Sequence, residues 1–571
     1  LGNIHNIRGF QKDPVVHREY LTRQLIAYIG NKRRLLGFFA DVFAMLEKEH
    51  EIKLFADPFA GSGSVSRLAR SRGYRVAAGD LEEYSRLLVS AAVTLSPAEA
   101  EDILSPFGGF DLYAEFQEYG ASDSQPVHPF ISRFYSPADT ELADYRSERL
   151  FYTRENGLFI DRVRQRIEEL IPGSPGPEDG RLRLAKDLMT APLLYEAATR
   201  VNTSGVFKAF HKGFGGHGRD ALDRILSPIQ LQPPVLINGA GGSKVKRCDA
   251  LTLLSETVFD LCYVDPPYNQ HQYGSNYHLL NTIALWDDPP IDNMLDETGG
   301  LCRRAGIRPD WKKTRSGFCS AVKAREEFAA LMEASEGRLM AVSYSTDGLV
   351  PVEELFALFE RYGRTSIFTS DYTVYRGGRQ SPTKAGKNLE LLFVIDRSSR
   401  APTGGEGRAE LLRVLGIRKA GRLLRESFVP ARILEFFPVT GETVELAPEL
   451  HLKSDRLYRF PTPPEKGTLE ALSADTLESL TEKLEESRCT DRQEECAVLR
   501  GLIAAPSSSQ KRDETRLLTA LRTLVHRKYA GIWEEELRKS RILAESDPRR
   551  FTRLAEGLSK LEELASLRFS G

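Results

Sequence analysis

Residues 52–80 read IKLFADPFAGSGSVSRLARSRGYRVAAGD, and this stretch limits the fold more than any other part of the chain. The apolar run Ile52–Ala56 stops at an Asp-Pro turn and a glycine-serine loop. A helix is expected from about Ser64 to Arg72, and a second strand, Arg75–Gly79, ends on Asp80. A strand, tight loop, helix and strand in succession place two strands side by side and parallel. A parallel sheet needs helices on its faces, so the same alternation should recur elsewhere, and it does. Lys32–His50 carries Leu35, Phe39, Val42, Phe43 and Leu46 at helical spacing. Strand signals return at Val245–Cys248, at FDLCYVDPPY, at Arg338–Ser343 and at Leu389–Ile395, with helix Val352–Tyr362 among them.

The chain of 571 residues is too long for one core, about three or four domains by length alone. Residues 20–100 and 241–398 read as one α/β body. The stretch 101–240 changes character: it is rich in Pro, Gly, Asp and aromatic residues, passes through GSPGPEDG, and reads as an insertion carried by the sheet. APTGGEG (401–407) interrupts all periodicity and marks a linker. Beyond it, 408–460 shows strand-like alternation (TVELAPELHL, then DRLYRF), and from Thr468 the pattern is helical, with a break at Pro506–Gln510. No apolar run is long enough for a membrane span. The six cysteines, 248, 262, 302, 319, 489 and 496, lack metal-ligand spacing. A reduced, cytoplasmic protein with no metal and no membrane association is the expectation. With 78 Lys and Arg against 80 Asp and Glu, the net charge is −2. That excludes a protein that coats nucleic acid by bulk charge, but not one that grips it with local basic loops.

Two loops carry the chemistry. In DPFAGSGS (57–64), Gly61 and Gly63 allow close backbone approach and present amides at a helix start. No GK[ST] follows, so this is not a phosphate loop. Asp80, at the end of the next strand, stands where a carboxylate can accept both ribose hydroxyls of a nucleoside. The second loop, YVDPPYNQHQYGSNYHLLN, leaves the C-terminal end of an apolar strand, where open α/β sheets bind their ligands. Pro266 and Pro267 have no N–H to donate and stiffen the turn. Asp265 and the Pro266 carbonyl can then face outward as acceptors beside the ring of Tyr268. Two acceptors beside a stacking plate suit a planar ring that bears an exocyclic amino group.

In these residues the sequence resembles the N6-adenine DNA methyltransferases of the Dam-like (D12) class, in which the S-adenosylmethionine (SAM) motif precedes the Asp-Pro-Pro-Tyr loop. The resemblance covers roughly residues 20–398 in separated pieces. It implies an α/β, Rossmann-like SAM-dependent methyltransferase sheet with an inserted, largely helical recognition region and a C-terminal mixed or helical domain at 408–571. AYIGNKRRLL (27–36) is similar to the motif against the methionine end of SAM and implicates Tyr28, Gly30 and Lys32. The glycine loop implicates Asp57, Phe59, Gly61 and Gly63, and Asp80 matches the ribose-binding acid. Asp249, in CDA (248–250), is a candidate beside the adenine ring of SAM. Asp265, Pro266, Pro267 and Tyr268 match the catalytic motif. VSYSTDG (342–348) and YRGGRQSPTKAGKNLELLFV (375–394) resemble the later structural and DNA-contacting motifs. The implied reaction is methylation of the N6 amino group of a flipped adenine at a specific site in duplex DNA, in restriction-modification or as an orphan epigenetic mark. Cys262, inside the strand before the loop, reads as core and not as a nucleophile.

Three basic, glycine-containing segments are candidates for holding DNA. The first, 199–220, offers Asn202, Lys208 and Lys212, with Gly205 and Phe207 in the same loop. The second, 302–318, offers Arg303, Arg304, Arg308, Lys312, Lys313 and Arg315, and the third, 375–387, offers Arg376, Arg379, Lys384 and Lys387. Such charges contact phosphates and make affinity salt-dependent. His271 and His278 read as structural or DNA-adjacent, since no third ligand is spaced with them. The tail after 400 exceeds what the catalytic body needs and is expected to extend DNA recognition or to dock a partner such as a restriction subunit or a second copy. Two other readings share the catalytic loop: an adenine-N6 RNA methyltransferase, and a SAM- or DNA-binding regulator without activity. The length of the insertion and the intact catalytic loop weigh against them. Protein glutamine methylation is weaker still, because those enzymes more often carry Asn at the first position of the loop.

Overall fold

The structure is a computed structural model that describes residues 4–6, 17–176, 179–215, 219–370, 390–399, 406–465, 467–507, 509–526 and 529–569. By internal contacts the chain forms two compact units, Leu1–Gly407 and Arg408–Gly571.

The first unit is built on eight strands: β1 (Ile4–Asn6), β2 (Leu54–Asp57), β3 (Arg75–Asp80), β4 (Lys244–Arg247), β5 (Leu261–Val264), β6 (Leu339–Ser345), β7 (Arg364–Ser370) and β8 (Glu390–Asp396). Their order across the sheet is β1-β7-β8-β6-β5-β2-β3-β4. All neighbours are parallel except β8, which runs antiparallel to both β6 and β7. The strand β2 therefore has β3 on one side and β5, late in the chain, on the other. Connections leave in opposite directions at that point, and the carboxyl ends of the strands open a crevice there. Two strands go beyond the sequence reading: β7, and β1, which pairs with it.

Helices α1 (Leu36–Leu46) and α2 (Ser64–Ser71) place Phe39, Val42, Phe43, Val65 and Leu68 in one core with Phe55, Val76, Leu261 and Leu392 of the sheet. A second core is helical. It joins α3 (Glu83–Val93), the inserted helices α4 (Arg154–Leu170) and α5 (Gly180–Thr199), and α6 (His278–Leu285). In α3, every residue from Tyr84 to Val93 is buried. Val89 and Ala92 face the sheet core, and Leu87, Leu88 and Ala91 face the helical one. Arg86 of α3 makes a two-pronged contact with Asp187 of α5, at 2.6 Å on each prong, and Ser90 adds a third bond at 2.7 Å. Helices α4 and α5 thus share a core with α3 and α6 and do not hang from the sheet on a stalk.

In the second unit the strand signal of TVELAPELHL is borne out and that of DRLYRF is not. Helices Glu406–Leu423 and Pro430–Phe436 come first, followed by a three-stranded antiparallel sheet of β9 (Val439–Thr440), β10 (Thr443–Ala447) and β11 (Leu450–Lys453). DRLYRF is no strand, because Arg456 and Leu457 sit at φ 56° and 58°, in the left-handed region that extended pairing cannot use. Five longer helices follow between Ala474 and Phe569.

Candidate active site

At the carboxyl ends of β2, β3 and β5 lies a cleft of about 920 Å³, counted with its open mouth. That is within the range of small-molecule sites. Its walls come from segments far apart in the chain: Tyr28 to Lys32, Asp57 to Ser62, Asp80 to Glu82, Asp265 to Tyr268, and Thr314 with Ser316.

The glycine loop is held by its own acid. Asp80 Oδ2 accepts from the Gly61 N–H at 2.9 Å and from Ser85 Oγ at 2.8 Å, and Oδ1 accepts from the Glu82 N–H at 2.9 Å. Gly61 has φ +51°, and a Cβ there would lie 2.9 Å from the Tyr28 ring. Gly63, φ +76°, starts α2. Both positions reject a side chain on backbone grounds and again on packing. Gly61→Ala is therefore expected to cost roughly 1–3 kcal/mol of local strain and to raise the KM for the cofactor by about tenfold. Titration of cofactor binding checks it, and an unchanged KM would show the loop to be slack.

Tyr28 is the hub of a tyrosine cluster. Its ring stacks on Tyr273 and Tyr277 at centroid distances of 5.0 and 4.8 Å. Tyr273 Oη donates to the Ile29 carbonyl at 3.0 Å, and the Ile29 N–H donates to Tyr277 Oη at 2.8 Å. The short helix Tyr273–Asn276, just past the catalytic loop, therefore clamps segment 28–31 from outside, with Gly30 at φ +76° beneath the Tyr273 hydroxyl.

Two carboxylates stand on the ends of adjacent strands. Asp57 is buried. Its Oδ2 accepts from Ser66 Oγ at 2.5 Å, and its Oδ1 has no hydrogen-bond partner. Burial, with Asp265 and Asp80 nearby, pushes its carboxyl up to about 7. Asp265 is pushed up to about 6 by burial, an effect that Lys32 opposes and Glu390 reinforces. The Lys32 ammonium lies 3.2 Å from Asp265, pairs with the buried Glu390, and sits 5.3 Å from the Tyr268 ring centroid. Burial disfavours its charge, yet the two carboxylates hold its pKa well above the ordinary lysine value. Tyr268 is braced edge-on by Tyr344 at 6.0 Å, and its carbonyl accepts from the Leu349 N–H at 3.2 Å.

Of the residues singled out from sequence, Tyr28, Gly30, Lys32, Asp57, Phe59, Gly61, Asp80, Asp265, Pro266, Pro267 and Tyr268 all line this cleft. Asp249 does not. Its carboxylate caps helix Ala250–Ser255, accepting from the N–H and hydroxyl of Thr252, and the wall there is Cys248 and Ala250. Asn202 is a second correction. It is fully buried; its amide donates to the Leu150 carbonyl at 2.9 Å and accepts from the Gly215 N–H at 3.3 Å, so it shapes its loop and offers nothing to a groove. Arg308 is a third: buried and neutralised by Asp287 and Asp310, each at 2.6 Å. His278 is also buried, with Nε2 2.9 Å from the Phe207 carbonyl. Lys208, Lys212, Arg303, Arg304, Lys312 and Lys313 are exposed. Arg376, Arg379, Lys384 and Lys387 lie outside the described residues.

Sequence reasoning missed Glu390 and Glu82. Glu390 opens β8 and also accepts from Ser343 Oγ at 2.9 Å. Its one signal was an acid at the head of the apolar run LELLFV. Glu82 is buried in the cleft wall, accepts from Asn281, and is pushed up to about 7, chiefly by burial.

The family model described as D12 class N6 adenine-specific DNA methyltransferase matches residues 28–299. Modification methylase LlaI of Lactococcus lactis subsp. lactis is 31% identical over 380 residues, 64% of this chain and 54% of that protein. Type II methyltransferase M.NlaIII of Neisseria lactamica is 29% identical over 374 residues, 65% of this chain and 99% of that protein. Type II methyltransferase M.CviAII of Paramecium bursaria Chlorella virus 1 is 26% identical over 355 residues, 62% of this chain and 93% of that protein. The match therefore spans about half of the first relative and nearly all of the other two. The family match takes in the glycine loop, Asp80 and the Asp-Pro-Pro-Tyr loop, and ends before both the 302–318 segment and Glu390.

Proposed function

The chain belongs to the D12 class of N6 adenine-specific DNA methyltransferases, and from that premise we propose that it moves a methyl group from S-adenosylmethionine to the N6 amino group of an adenine rotated out of duplex DNA. The observation that supports this reading best is the pairing of Asp57 and Asp265 in one cleft, with the glycine loop on one side and Tyr268 on the other.

The residues present fit the cofactor. SAM carries positive charge at its sulfonium and its ammonium, and the cleft offers Asp57, Asp80 and Glu82 against the single cation Lys32, itself already paired. The partnerless Asp57 Oδ1 is a buried acceptor that lacks a donor. Such an atom costs free energy until a donor arrives. Asp80 and Glu82 would hold the ribose hydroxyls, and the tight turn at Gly61 leaves the backbone open to close approach. When bound, SAM supplies an electrophilic methyl group.

The chain's own residues then act on the base. Rotating an adenine out of the stack costs a few kcal/mol, and Tyr268 offsets part of that by stacking. The adenine amino group is a poor nucleophile because its lone pair is delocalised into the ring. Asp265 and the Pro266 carbonyl accept its two hydrogens and favour a tetrahedral nitrogen, which localises the lone pair for in-line attack. Positioning and fixed charge do the rest, and no covalent enzyme intermediate is needed. The test is incubation with methyl-labelled SAM and a mixture of duplex DNA, RNA and protein. Label recovered as N6-methyldeoxyadenosine within one sequence context supports the proposal; label in RNA or protein alone overturns it.

The exposed cations Lys208, Lys212, Arg303, Arg304, Lys312 and Lys313 are proposed to hold the DNA backbone, and residues 408–571 to extend recognition, with docking of a restriction subunit as the other role open to them. Every residue lining the cleft belongs to the first unit. A chain ending at residue 407 is therefore expected to keep SAM binding and lose discrimination among DNA sites. Sequencing of methylated bases decides: an unchanged site preference would assign the tail to partner docking.

A further inference from the structure

On the reading that duplex DNA is the substrate, we propose that Tyr145, Arg146, Lys212 and Arg304 form a built anchor for a phosphodiester of the DNA backbone flanking the target base. These residues come from three separate stretches of chain. The Lys212 ammonium and the Arg304 guanidinium each lie 5.5 Å from the Tyr145 ring centroid, and the Arg146 guanidinium lies at 5.9 Å. Arg304 also sits 5.7 Å from the Phe210 ring. All three cations are exposed, and none of them forms an ion pair with a carboxylate among the described residues. The nearest acid in sequence, Asp144, spends its carboxylate on the Arg146 N–H at 3.0 Å and Ser147 Oγ at 3.1 Å.

The neighbouring cations behave differently. Arg308, four residues after Arg304, is buried between two aspartates, and Arg303 lies 3.9 Å from Asp292. Nature of position, not composition, therefore separates structural arginines from free ones within a single segment. Three like charges around one phenol repel each other; Asp144 offsets this in part at Arg146, and an anion from outside offsets the rest. Flat aromatic faces hold a guanidinium group in place without neutralising it, which leaves the N–H fork of Arg304 to phosphate oxygens, while Arg146 also bonds the Tyr145 side chain. Consistent with this, the Arg146 contact and then Lys212 hold the Tyr145 phenol below its ordinary pKa.

The anchor is tied to the catalytic cleft. The strand of chain from Arg304 reaches Thr314 and Ser316 in the cleft wall, and Ser316 is held by Gln272 through bonds of 3.0 and 3.2 Å. Twelve extended residues span at most about 40 Å, so the anchor lies within little more than one helical turn of duplex, roughly 34 Å. On its other side, the loop that carries Lys212 is pinned by the Phe207 N–H, which donates to the Asn276 carbonyl at 2.7 Å.

The experiment is equilibrium binding of a methylatable duplex to the full chain across a salt series. Arg304→Ala is expected to weaken binding about tenfold near 0.1 M salt and to lower the slope of log K against log salt by about one; Arg304→Ala with Lys212→Ala should lower it by about two. Tyr145→Ala leaves the cations but removes their platform, and is expected to weaken binding severalfold with little change in slope. SAM binding without DNA reports that each variant is folded. Unchanged affinity and slope in the double variant overturn the anchor, as does a Tyr145→Ala effect below about twofold. If the unaltered protein methylates no duplex at all, it is the reading of the substrate that fails, and the two failures are told apart.

Discussion

Replacing Asp265 with alanine is expected to lower the rate of methyl transfer by at least about a thousandfold while leaving SAM affinity within about threefold of the parent. The size follows from what the carboxylate does. It is one of two acceptors aimed at the amino nitrogen, and loss of a single preorganised hydrogen-bonding group at a reacting centre costs roughly 10²–10³ in rate. Loss of the charge that Lys32 is set against, at 3.2 Å, disturbs the loop further. SAM affinity is spared because the glycine loop is fixed by Asp80 and packed by Tyr28, through contacts that do not pass through Asp265. Asp265→Asn should fall between. Its amide oxygen still accepts, but its NH2 can present a donor to a donor, and the ion pair with Lys32 is gone. Single-turnover assays with saturating SAM measure this, and turnover by the alanine variant within tenfold of the parent would falsify the catalytic assignment.

What the sequence disclosed, and what it hid, follow from the range of the interactions. The glycine loop was legible because its geometry is local: Gly61 and Gly63 need positive φ, and strand, turn and helix succeed one another within 30 residues. The catalytic loop was legible because adjacent prolines leave few conformations. By contrast, Glu390 and Lys32 are 358 residues apart. They meet only because β8 inserts antiparallel between β6 and β7, bringing the first residue of β8 to the cleft end of the sheet. No spacing rule reports such a meeting. The misread residues share a different cause. Asn202, Asp249 and Arg308 are polar types in plausible loops, and residue type alone does not say whether a polar group faces water, caps a helix or pairs in the interior. For Arg308 a hint was present, since Asp310 stands two residues away. For β7, Arg364–Ser370, the hydroxyls of Thr365 and Thr369 masked a strand whose middle is buried.

The Lys32–Glu390 pair turns that missed contact into a second large effect. Lys32→Met is expected to reduce methyl transfer at pH 7 by roughly twofold to a hundredfold, through the protonation of Asp265. The unaltered Asp265 carboxyl is pushed up to about 6. Activity needs it ionised, so kcat/KM should be flat above that value and fall as pH drops through about 6. Burial and Glu390 both raise the Asp265 pKa, and Lys32 is the main neighbour that lowers it, with a smaller contribution from Tyr263. Removing the lysine leaves the raising influences opposed by the smaller effect of Tyr263 alone, so the acid limb must move to higher pH, by about one to three pH units for loss of an opposite charge at this range. Glu390→Gln removes a raising influence instead and leaves Lys32 to Asp265 alone, so its limb must move to lower pH. A purely structural role for the pair would lower activity in both variants without moving the limbs apart. Stability will fall in Lys32→Met as well, since breaking a buried ion pair from one side costs about 3–5 kcal/mol. For that reason the pH profile decides the matter, not the activity at one pH: limbs that shift in opposite directions establish Lys32 as the group that keeps Asp265 ionised, and limbs that coincide with the parent's remove it from that role.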